Sequence, residues 1–429
     1  MSSQQVQHAL SALKNKKIAL LGYGLDNQAL FNFLKSRKLN TDITIKDFRL
    51  DPTGFNKNLE EFDILFRSPG WPLLCPGVQK AKQGRQTEIS SPLNLFLSLC
   101  PSQKIIGVTG TKGKGTTATL IYKILKDAGH RAWLGGNIGI SPLSFLDKIK
   151  PNDFIVLELS SFQLEDLKYS PRWSIITNLF PEHLAPADPN NPNFHASLAK
   201  YWQAKLNIGR YADNKYLIVN RQLETKLKKY KLPGKTIYFS ASSLPSRLAG
   251  EYNQDNIGAA VALARILKIP EKQFAKTIAR FSNLEHRLEL VRTVKGVKYY
   301  DNSFATTPES TILDLRSFPE PLIQIAGGAD KGASFTALAK EIKRKVKCLI
   351  LLPGQATPRL KKELLKNKLP LDRLLEASDM EQAVSLASQQ ATAGDVVLLS
   401  TACASFGIFK NYKERGNLFK KYVRQIKAR

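Results

Sequence analysis

The chain has 429 residues, of which 43% are hydrophobic and 9% aromatic, so it is long enough for several domains with packed cores. Its 64 lysines and arginines outnumber its 36 acidic residues and give a net charge of +28. The four cysteines form no C-x-x-C pair and no apolar run approaches the ~20 residues of a spanning helix, which argues against a zinc ribbon, a disulfide framework and membrane insertion.

The N-terminal stretch MSSQQVQHALSALKNKK lacks the apolar core of a signal peptide, so we expect a cytoplasmic protein. The positive charge has two interpretations, a nucleic-acid-binding protein or a lysine-rich solvated surface. The second is favoured, because lysines are spread through segments such as KEIKRKVK (340–347) and lie between apolar positions. A substrate with several phosphates or carboxylates would also be attracted by this charge. We therefore expect no nucleic-acid partner.

Three blocks of alternating strands and helices follow one another along the chain. The strands predicted for the first block are 17–22, 42–48 and 63–70, with a helix at 29–38. The strands predicted for the second are 104–110, 153–161, 174–180, 215–220 and 235–241, with a helix at 251–267. The strands predicted for the third are 297–303, 321–328, 347–354 and 395–401. This pattern predicts an α/β fold of three domains, at 1–100, 101–284 and 285–429. The first and third would be Rossmann-like and the central one a mainly parallel P-loop ATPase-type sheet.

The stretch GVTGTKGKGTT (107–117) has the layout of a phosphate-binding loop, in which a strand leads through glycines into a helix. Its spacing differs from G-x-x-x-x-G-K-[ST], because Gly115 follows Lys114 where a hydroxyl is usual. Backbone N–H groups at a helix N-terminus nevertheless bind anions without one fixed pattern. Lys114 would supply a positive charge for phosphates, and Thr116 or Thr117 a hydroxyl for magnesium. Glycines that only permit tight packing are the alternative, but they do not account for the lysine.

Three further polar residues follow predicted strands or lie among apolar residues. Glu158 ends a buried strand, where a carboxylate holds a magnesium ion or forms a structural ion pair. His183 follows another strand end, and a lone histidine is more often structural than a ligand. Lys205 lies on a helix among apolar residues, which by itself indicates a side chain that extends to solvent. A fourth polar residue, Arg287, precedes the hydroxyl-rich DNSFATTPES (301–310) and would bind a phosphate or an interdomain carboxylate.

These segments, in this order, resemble the Mur ligases, the ATP-dependent amide-forming enzymes of peptidoglycan precursor synthesis. GTKGKGTT, GGNIG, ELSSFQL, NxxxEH, YxxAK, GEYNQDN, EHRLE and DNSFATT carry the resemblance, which covers essentially the whole chain. Family members commonly have K-[GS]-[ST] in the loop, which accounts for the shifted hydroxyl. ELSSFQL and LLSTACASFGIFKNYKERGNLF (398–419) most resemble the members that add D-glutamate. The implied reaction joins D-glutamate to UDP-N-acetylmuramoyl-L-alanine through an acyl phosphate and forms ADP.

The resemblance also implies the site residues and the ligands. Lys114, His183 and Lys205 would be catalytic. ATP would be bound by Gly110, Thr111, Gly113, Lys114, Gly115, Thr116, Thr117, Asn253, Asn256 and Arg287. Two magnesium ions would be held by Thr116, Glu158, His183 and a carbamylated Lys205. The uridine nucleotide would contact Leu25, Asp26, Asp47, Arg49 and Gly70, and the substrate cleft would be lined by Asn137, Ser160 and Gln163. D-Glutamate would bind Thr306, Lys331, Ser405 and Tyr412. The partners are small molecules alone, and we expect a monomer.

Three positions depart from the family pattern, and one signal is weak. Asn302, Phe304 and Tyr252 stand where aspartate, lysine and histidine are common. The G-x-G of GYGLDNQAL (22–30) would by itself indicate a dinucleotide site, whereas the family uses this domain for the uridine nucleotide.

The open alternatives are another Mur ligase, a folylpolyglutamate-synthase-like ligase and a basic nucleic-acid-dependent P-loop ATPase. The synthase lacks a domain ahead of the loop, whereas about 100 residues of α/β pattern precede it here. The ATPase needs a clustered basic face or an aromatic stacking platform, and neither is visible in the sequence.

Overall fold

The computed structural model of the chain describes residues 10–84, 86–184, 193–211, 213–250 and 252–427. Its strands are β1 (Lys17–Leu21), β2 (Asp42–Lys46), β3 (Ile64–Arg67), β4 (Glu88–Ser90), β5 (Ile105–Thr109), β6 (Ala132–Gly136), β7 (Phe154–Glu158), β8 (Trp173–Ile176), β9 (Tyr216–Asn220), β10 (Lys235–Phe239), β11 (Glu289–Val294), β12 (Val297–Asp301), β13 (Leu322–Ala326), β14 (Val346–Leu351), β15 (Leu374–Glu376) and β16 (Val396–Leu399). Every predicted strand is confirmed, with ends that move by a few residues.

The helices lie between these strands. They are α1 (Leu25–Ser36), α2 (Pro76–Gln83), α3 (Pro92–Leu99), α4 (Lys114–Asp127), α5 (Ser161–Leu164), α6 (Leu198–Leu206), α7 (Glu224–Leu227), α8 (Tyr252–Ile266), α9 (Glu271–Arg280), α10 (Pro308–Arg316), α11 (Thr336–Lys345), α12 (Thr357–Lys366), α13 (Met380–Gln390) and α14 (Tyr412–Gln425). Short 3₁₀ turns lie at Leu59–Glu61, Pro142–Lys148, Asn207–Gly209, Arg221–Leu223 and Leu371–Arg373. The helix predicted at 251–267 is confirmed as α8, although residue 251 lies outside the described residues. No helix of the described residues is long and apolar enough to cross a membrane.

The strands form three sheets, one in each predicted domain. The first has the order β2-β1-β3-β4 and the second β10-β9-β8-β5-β7-β6, and all their strands are parallel. The third has the order β11-β12-β16-β13-β14-β15, with only β11 antiparallel. Because helices cover both faces of such sheets, the central strands are continuous aliphatic runs, as the buried IIGVT of β5 shows.

Four strands escape the sequence prediction, namely β4, β6, β11 and β15. Each of the four is at an edge of its sheet, where a strand has one neighbour instead of two. Edge strands need less apolar surface, and two of these four are only three residues long. Their sequences therefore lack the long apolar run that identifies a central strand.

The described residues divide into two compact units. Unit 1 comprises residues up to 245 together with 254–279, and unit 2 comprises 246–253 together with 280 onward. In unit 1 one hydrophobic core contains side chains of both the first and the second sheet, such as Phe66 and Leu157. In unit 2 two core clusters pack against the third sheet. The domain boundaries at 100 and 284 stay predictions.

Candidate functional site

The glycine loop connects β5 to α4 and needs glycine at two positions. Gly110 and Gly113 have φ values of +150° and +82°. A Cβ atom on Gly113 would lie 2.0 Å from Oδ1 of Asn256, and one on Gly110 would lie 1.9 Å from Oγ1 of Thr177. The loop is therefore closely surrounded by side chains, and its backbone N–H groups lead directly into the N-terminus of α4.

Lys114 is the first residue of α4, and its side chain turns back over the loop. Its Nζ donates to the carbonyl oxygens of Gly110 and Thr111, each over 3.0 Å. Thr116 and Thr117 follow in the first helical turn and are buried. An ammonium group, hydroxyls and helix N–H groups thus meet in one loop, which is the donor set of a phosphate site.

Asn178, after β8, fixes the other side of the loop. Its Oδ1 accepts from the N–H groups of Thr111 and Lys112, over 3.1 and 2.8 Å. The hydroxyl of Thr111 is 3.0 Å from that of Tyr201 on α6. These contacts connect the loop to β8 and to the helix that carries Lys205.

Lys205 lies on α6 and is 1% exposed. Its Nζ donates to the carbonyl oxygen of Gly110 over 2.7 Å. Burial, and next the charge of Lys114, hold the pKa of Lys205 well below its usual range. The structure therefore places this amine against the loop and not in solvent, where the residue pattern alone would place it.

Glu158 ends β7 next to β5, opposite Val108. Its Oε1 accepts from the side-chain amide of Asn137 over 3.0 Å. Its Oε2 is buried without a hydrogen-bond partner among the described residues. A buried carboxylate oxygen without a hydrogen-bond partner costs free energy unless it contacts a cation. Glu158 therefore fits a metal ligand.

His183 follows Glu182, which the sequence reasoning did not select. Lys112 donates to Glu182 over 2.6 Å. Burial alone would raise the pKa of Glu182, but Lys112 and then Lys114 lower it to about 2. The ring of His183 lies 5.0 Å from that of Phe162, which follows Ser161 at the start of α5. The structure thus brings His183 to the helix that follows Glu158.

His195 is a second residue that the sequence reasoning missed. Its backbone N–H donates to the carbonyl oxygen of His183 over 2.8 Å. Its buried ring stacks on Phe162 and its Nε2 is 3.0 Å from the hydroxyl of Ser161. Burial lowers the pKa of His195 to about 4, so the ring is neutral near pH 7. His195 thus fixes the backbone of His183. The only signal for His195 in the sequence is that it precedes the YxxAK motif (201–205).

Asp26 and Gln163 meet, although they belong to different predicted subsites. Nε2 of Gln163 donates to Oδ2 of Asp26 over 3.2 Å, and burial raises the pKa of Asp26. Gln163 and Ser160 also form a reciprocal capping box at the start of α5. The structure therefore brings one predicted uridine-nucleotide residue, Asp26, into contact with one predicted cleft residue, Gln163.

Arg67, at the end of β3, was not predicted as a site residue. It is 1% exposed and donates to the carboxylate of Asp166 over 2.9 Å and to the carbonyl oxygen of Phe162 over 2.7 Å. The adjacent turn carries Gly70, and the carbonyl oxygen of Pro69 accepts from the amide of Asn193 over 2.7 Å. Arg67 thus connects the first sheet to α5.

Asp47 and Arg49, predicted to contact the uridine nucleotide, bind each other. Two nitrogens of the Arg49 guanidinium lie 2.9 and 2.7 Å from the carboxylate of Asp47. The backbone N–H of Tyr23, in the G-x-G turn, donates to the same carboxylate over 2.6 Å. The Arg49 side chain holds the pKa of Asp47 well below its usual range. Asp47 therefore fixes the G-x-G turn as well.

A cavity of about 540 Å³ lies beside this turn in unit 1, between α1 and residues 139–147. Leu25, which is 64% exposed, lines it together with Ser141. Small-molecule sites commonly have volumes of about 300–1,000 Å³.

The remaining predicted residues belong to unit 2, apart from Asn256. The hydroxyl of Thr117 donates to Asn256 over 3.3 Å, so Asn256 reaches the loop. Asn253 belongs to unit 2, where its amide donates to the carbonyl oxygen of Ala249. Of the two α8 asparagines predicted to bind ATP, Asn256 contacts the loop through Thr117.

The residues predicted to bind D-glutamate all belong to unit 2. Ser405 follows Ala404, whose carbonyl oxygen accepts from the N–H of Ala329 over 2.9 Å, close in sequence to Lys331. The loop of Thr306 contacts the start of α14, where the rings of Phe304 and Tyr412 are 5.1 Å apart. Lys331 and Ser405 thus lie near two loops that contact each other, and Thr306 lies on a loop that contacts Tyr412 at the start of α14.

Arg415 connects these loops and was missed by the sequence reasoning. It is fully buried and donates to the carbonyl oxygens of Ser303 and Cys403, over 2.8 and 3.0 Å. Asn302, which departs from the family pattern, donates to the buried carboxylate of Asp314 over 2.7 Å. Its role in the structure is therefore to hold the loop.

Comparison with known proteins identifies the family that the chain resembles. The Mur ligase middle domain matches residues 108–244, and the Mur ligase, glutamate ligase domain matches residues 286–403. The UDP-N-acetylmuramoylalanine–D-glutamate ligase of Acetivibrio thermocellus is 37% identical, over 97% of this chain and 98% of its own. The ligase of that name from Ruminiclostridium cellulolyticum is 34% identical, over the same shares of the two chains. The structure of a MurF ligase from Thermotoga maritima in complex with ADP superimposes with a TM-score of 0.60, at 16% identity and 97% coverage of both chains.

Proposed function

The chain belongs to the Mur ligase family, and from that premise we propose how its residues serve the reaction. It is an ATP-dependent, ADP-forming ligase that adds D-glutamate to UDP-N-acetylmuramoyl-L-alanine in peptidoglycan synthesis. The observation that carries the residue assignment is the convergence of Lys114 and Lys205 on the carbonyl oxygen of Gly110.

The first step of the proposed mechanism is phosphoryl transfer from ATP to the substrate carboxylate, which gives an acyl phosphate and ADP. The loop N–H groups and Lys114 bind the phosphates and stabilise the charge that develops on the transferring group. Asn256 supports the loop by its contact with Thr117. The amine of D-glutamate then attacks the acyl carbon, and the tetrahedral intermediate collapses to the amide and phosphate.

The residues around the loop fit magnesium. Glu158 has a buried oxygen without a partner among the described residues, and Thr116 offers a hydroxyl in the first turn of α4. We assign Thr116, Glu158, His183 and Lys205 as the residues that would hold two ions. Magnesium, when bound, neutralises negative charge on the phosphates and on the transferring group.

Lys205 is proposed to act as a carbamate. An uncharged amine adds carbon dioxide and releases a proton, and the product is a carboxylate. The burial of Lys205 and the neighbouring charge of Lys114 both favour the uncharged amine. A carboxylate at this position would offer oxygen ligands to a cation, as the family resemblance implies.

The substrates are assigned to the two units as the resemblance implies. The uridine nucleotide and its sugar would contact the residues of unit 1, which are Leu25, Asp26, Asp47, Arg49, Gly70, Asn137, Ser160 and Gln163. D-Glutamate would contact the residues of unit 2, which are Thr306, Lys331, Ser405 and Tyr412. A lysine and hydroxyls suit a free amino acid with two carboxylates. Asn253 and Arg287 are assigned to ATP.

We place the enzyme in the cytoplasm, where ATP and uridine-diphosphate precursors are available, and we expect it to act as a monomer. Fluorescence of a tagged chain in fractionated cells and sedimentation of the purified protein test these two expectations.

The function is tested by ATP turnover measured with UDP-N-acetylmuramoyl-L-alanine and, in turn, D-glutamate, L-glutamate and lysine. We expect ADP to form only when the uridine-diphosphate substrate and D-glutamate are both present, in step with the amide product. Turnover with lysine but not with D-glutamate would mean that the acceptor is a different amino acid. Hydrolysis stimulated by DNA or RNA, and indifferent to the pair of substrates, would contradict the ligase assignment.

A further inference from the structure

Arg287 lies in a strained turn whose backbone is fixed on both sides. His286 and Leu288 flank it with φ values of +61° and +48°, which residues other than glycine rarely adopt. His286 is 2% exposed and its Nδ1 is 2.6 Å from the carboxylate of Asp301. The backbone N–H of His286 donates to Glu289 over 3.0 Å. A turn with these φ values costs free energy and persists only where other contacts hold it. The buried contacts of His286 therefore fix the backbone position of Arg287.

The guanidinium of Arg287 lies face-on against the ring of Phe304, with its central carbon 3.6 Å from the ring centroid. The ring itself is held from the side by Tyr412, at 5.1 Å and an interplanar angle of 90°. The backbone N–H of Phe304 also donates to the carbonyl oxygen of His286 over 3.2 Å. The turn and the ring therefore form one assembly around Arg287.

The acidic residues nearest to Arg287 in the sequence form ion pairs with a lysine of α14. Glu285 and Glu289 both accept from Lys420, over 2.7 and 3.1 Å. Stacking engages the flat face of a guanidinium and leaves the N–H groups at its edge able to bind an oxyanion in a bidentate manner.

We propose that Phe304 is a positioning residue for Arg287: its ring holds the guanidinium so that the N–H edge is presented to a phosphate group of ATP. The proposal rests on the assignment of Arg287 to ATP above. The ring face is an electrostatic partner for the cation and restricts a side chain that otherwise has many rotamers. Phe304 itself touches no reacting atom.

The experiment compares Phe304→Leu, which keeps apolar bulk but removes the ring face, with Phe304→Tyr, which keeps the face. ADP binding is measured by titration calorimetry, and the KM values for ATP, D-glutamate and the uridine-diphosphate substrate by turnover. We expect Phe304→Leu to weaken ADP binding and to raise the KM for ATP about 5-fold with kcat little changed, which corresponds to a cation–π contact of about 1 kcal/mol. Phe304→Tyr should restore both values.

The same measurements on Arg287→Gln separate the two levels of the proposal. If Arg287→Gln raises the KM for ATP and Phe304→Leu does not, only the positioning role is wrong. If Arg287→Gln leaves ADP binding and the KM for ATP unchanged, the assignment of Arg287 to ATP is wrong, and the positioning role is wrong with it.

The double variant and the other substrates complete the test. In the Arg287→Gln background, Phe304→Leu should have no further effect on ADP binding, since its action passes through Arg287. A further loss of the same size in that background would show that the ring acts independently of Arg287. A rise confined to the KM for D-glutamate would place Phe304, through Tyr412, in the amino-acid site and would overturn the proposal.

Discussion

Lys114 and Lys205 donate to the same acceptor, the carbonyl oxygen of Gly110, over 3.0 and 2.7 Å. One lysine begins α4 and the other lies on α6, so 91 positions separate them in the sequence. Burial, and next the positive charge of Lys114, lower the pKa of Lys205. The pair therefore favours an uncharged Lys205, the form that reacts with carbon dioxide.

The first prediction concerns Lys205. We expect Lys205→Ala to lower kcat about 100-fold or more, because a charged group that stabilises the transition state is lost. Small carboxylic acids should restore part of the activity by occupying the space left by the side chain. Turnover with and without acetate or formate measures both effects.

The matched control for Lys205 is Lys200→Ala, which removes an exposed lysine from the same helix. It should leave kcat within a factor of about 2 of the wild-type value. A Lys205→Ala enzyme with unchanged kcat would refute the proposed metal role of this residue.

The second prediction concerns the glycine loop. Gly113 and Gly129 have nearly equal φ values, +82° and +83°. A Cβ atom on Gly113 would collide with Asn256, whereas a Cβ atom on Gly129 would have no heavy atom of the described residues within 4 Å. Alanine at either position should cost about 1 kcal/mol of stability through its φ value. We expect only Gly113→Ala to weaken ADP binding, by about 10-fold or more, since displacing the loop disturbs its N–H groups.

Calorimetric ADP titration and thermal unfolding of both variants check this second prediction. Equal ADP affinities in Gly113→Ala and Gly129→Ala would show that the contact with Asn256 has no bearing on nucleotide binding.

The third prediction compares a buried with an exposed ion pair in unit 1. Arg67 is 1% exposed and pairs with Asp166, and Arg37 pairs with Asp147 at the surface. Arg67→Met leaves the half-buried carboxylate of Asp166 without its cation and should cost about 3 kcal/mol in the free energy of unfolding. Arg37→Met should cost about 1 kcal/mol or less, because water solvates its partner.

Urea-induced unfolding of the two variants measures the difference. A loss for Arg67→Met no larger than that for Arg37→Met would mean that water reaches Asp166 when the arginine is removed, and the connection from β3 to α5 would be unimportant for stability.

The fourth prediction is a pH dependence at the G-x-G turn. Arg49 and the N–H of Tyr23 hold the pKa of Asp47 below its unfolded value, so the carboxylate stabilises the fold when it is charged. This stabilisation is fully present above about pH 5 and is lost as the pH falls below about 4. Asp47→Asn should therefore lower the free energy of unfolding by about 2 kcal/mol at pH 7 and by less at pH 3.

Unfolding curves from pH 3 to 7 test the sign of this effect. Asp42→Asn, at an exposed position of β2, is the matched control and should show little pH-dependent difference from the wild type. A cost of Asp47→Asn that grew as the pH fell would contradict the assignment.

Much of the architecture could be predicted because central parallel strands have a direct signature in the sequence. The aliphatic runs of β1, β5, β7 and β13 are buried on both faces and need no tertiary information to be recognised. The edge strands β4, β6, β11 and β15 could not be predicted in the same way. These strands form because each pairs with a neighbouring strand, and their short sequences do not specify that pairing.

The residues of the candidate site also divide into those that the sequence indicates and those that only tertiary contacts identify. Lys114 and the glycines are neighbours in the chain, so their spacing alone indicates a phosphate loop, and the order of the other motifs indicates the Mur ligases. Glu182 and Arg415 lie within the quoted segments NxxxEH and 398–419, whereas His195 and Arg67 lie in none. None of the four could be given a role from the sequence, because each acts by contacting a residue distant in sequence.

The sequence by itself determined the class of fold, the position of the loop and the family, because these depend on local periodicity and on short-range spacing. Only the tertiary structure decided that Lys205 is buried against Gly110, that Glu158 retains a buried oxygen without a described partner, and that Arg287 stacks on Phe304. Burial and the approach of distant charges set the pKa and the orientation of a side chain, and neither follows from the order of the residues.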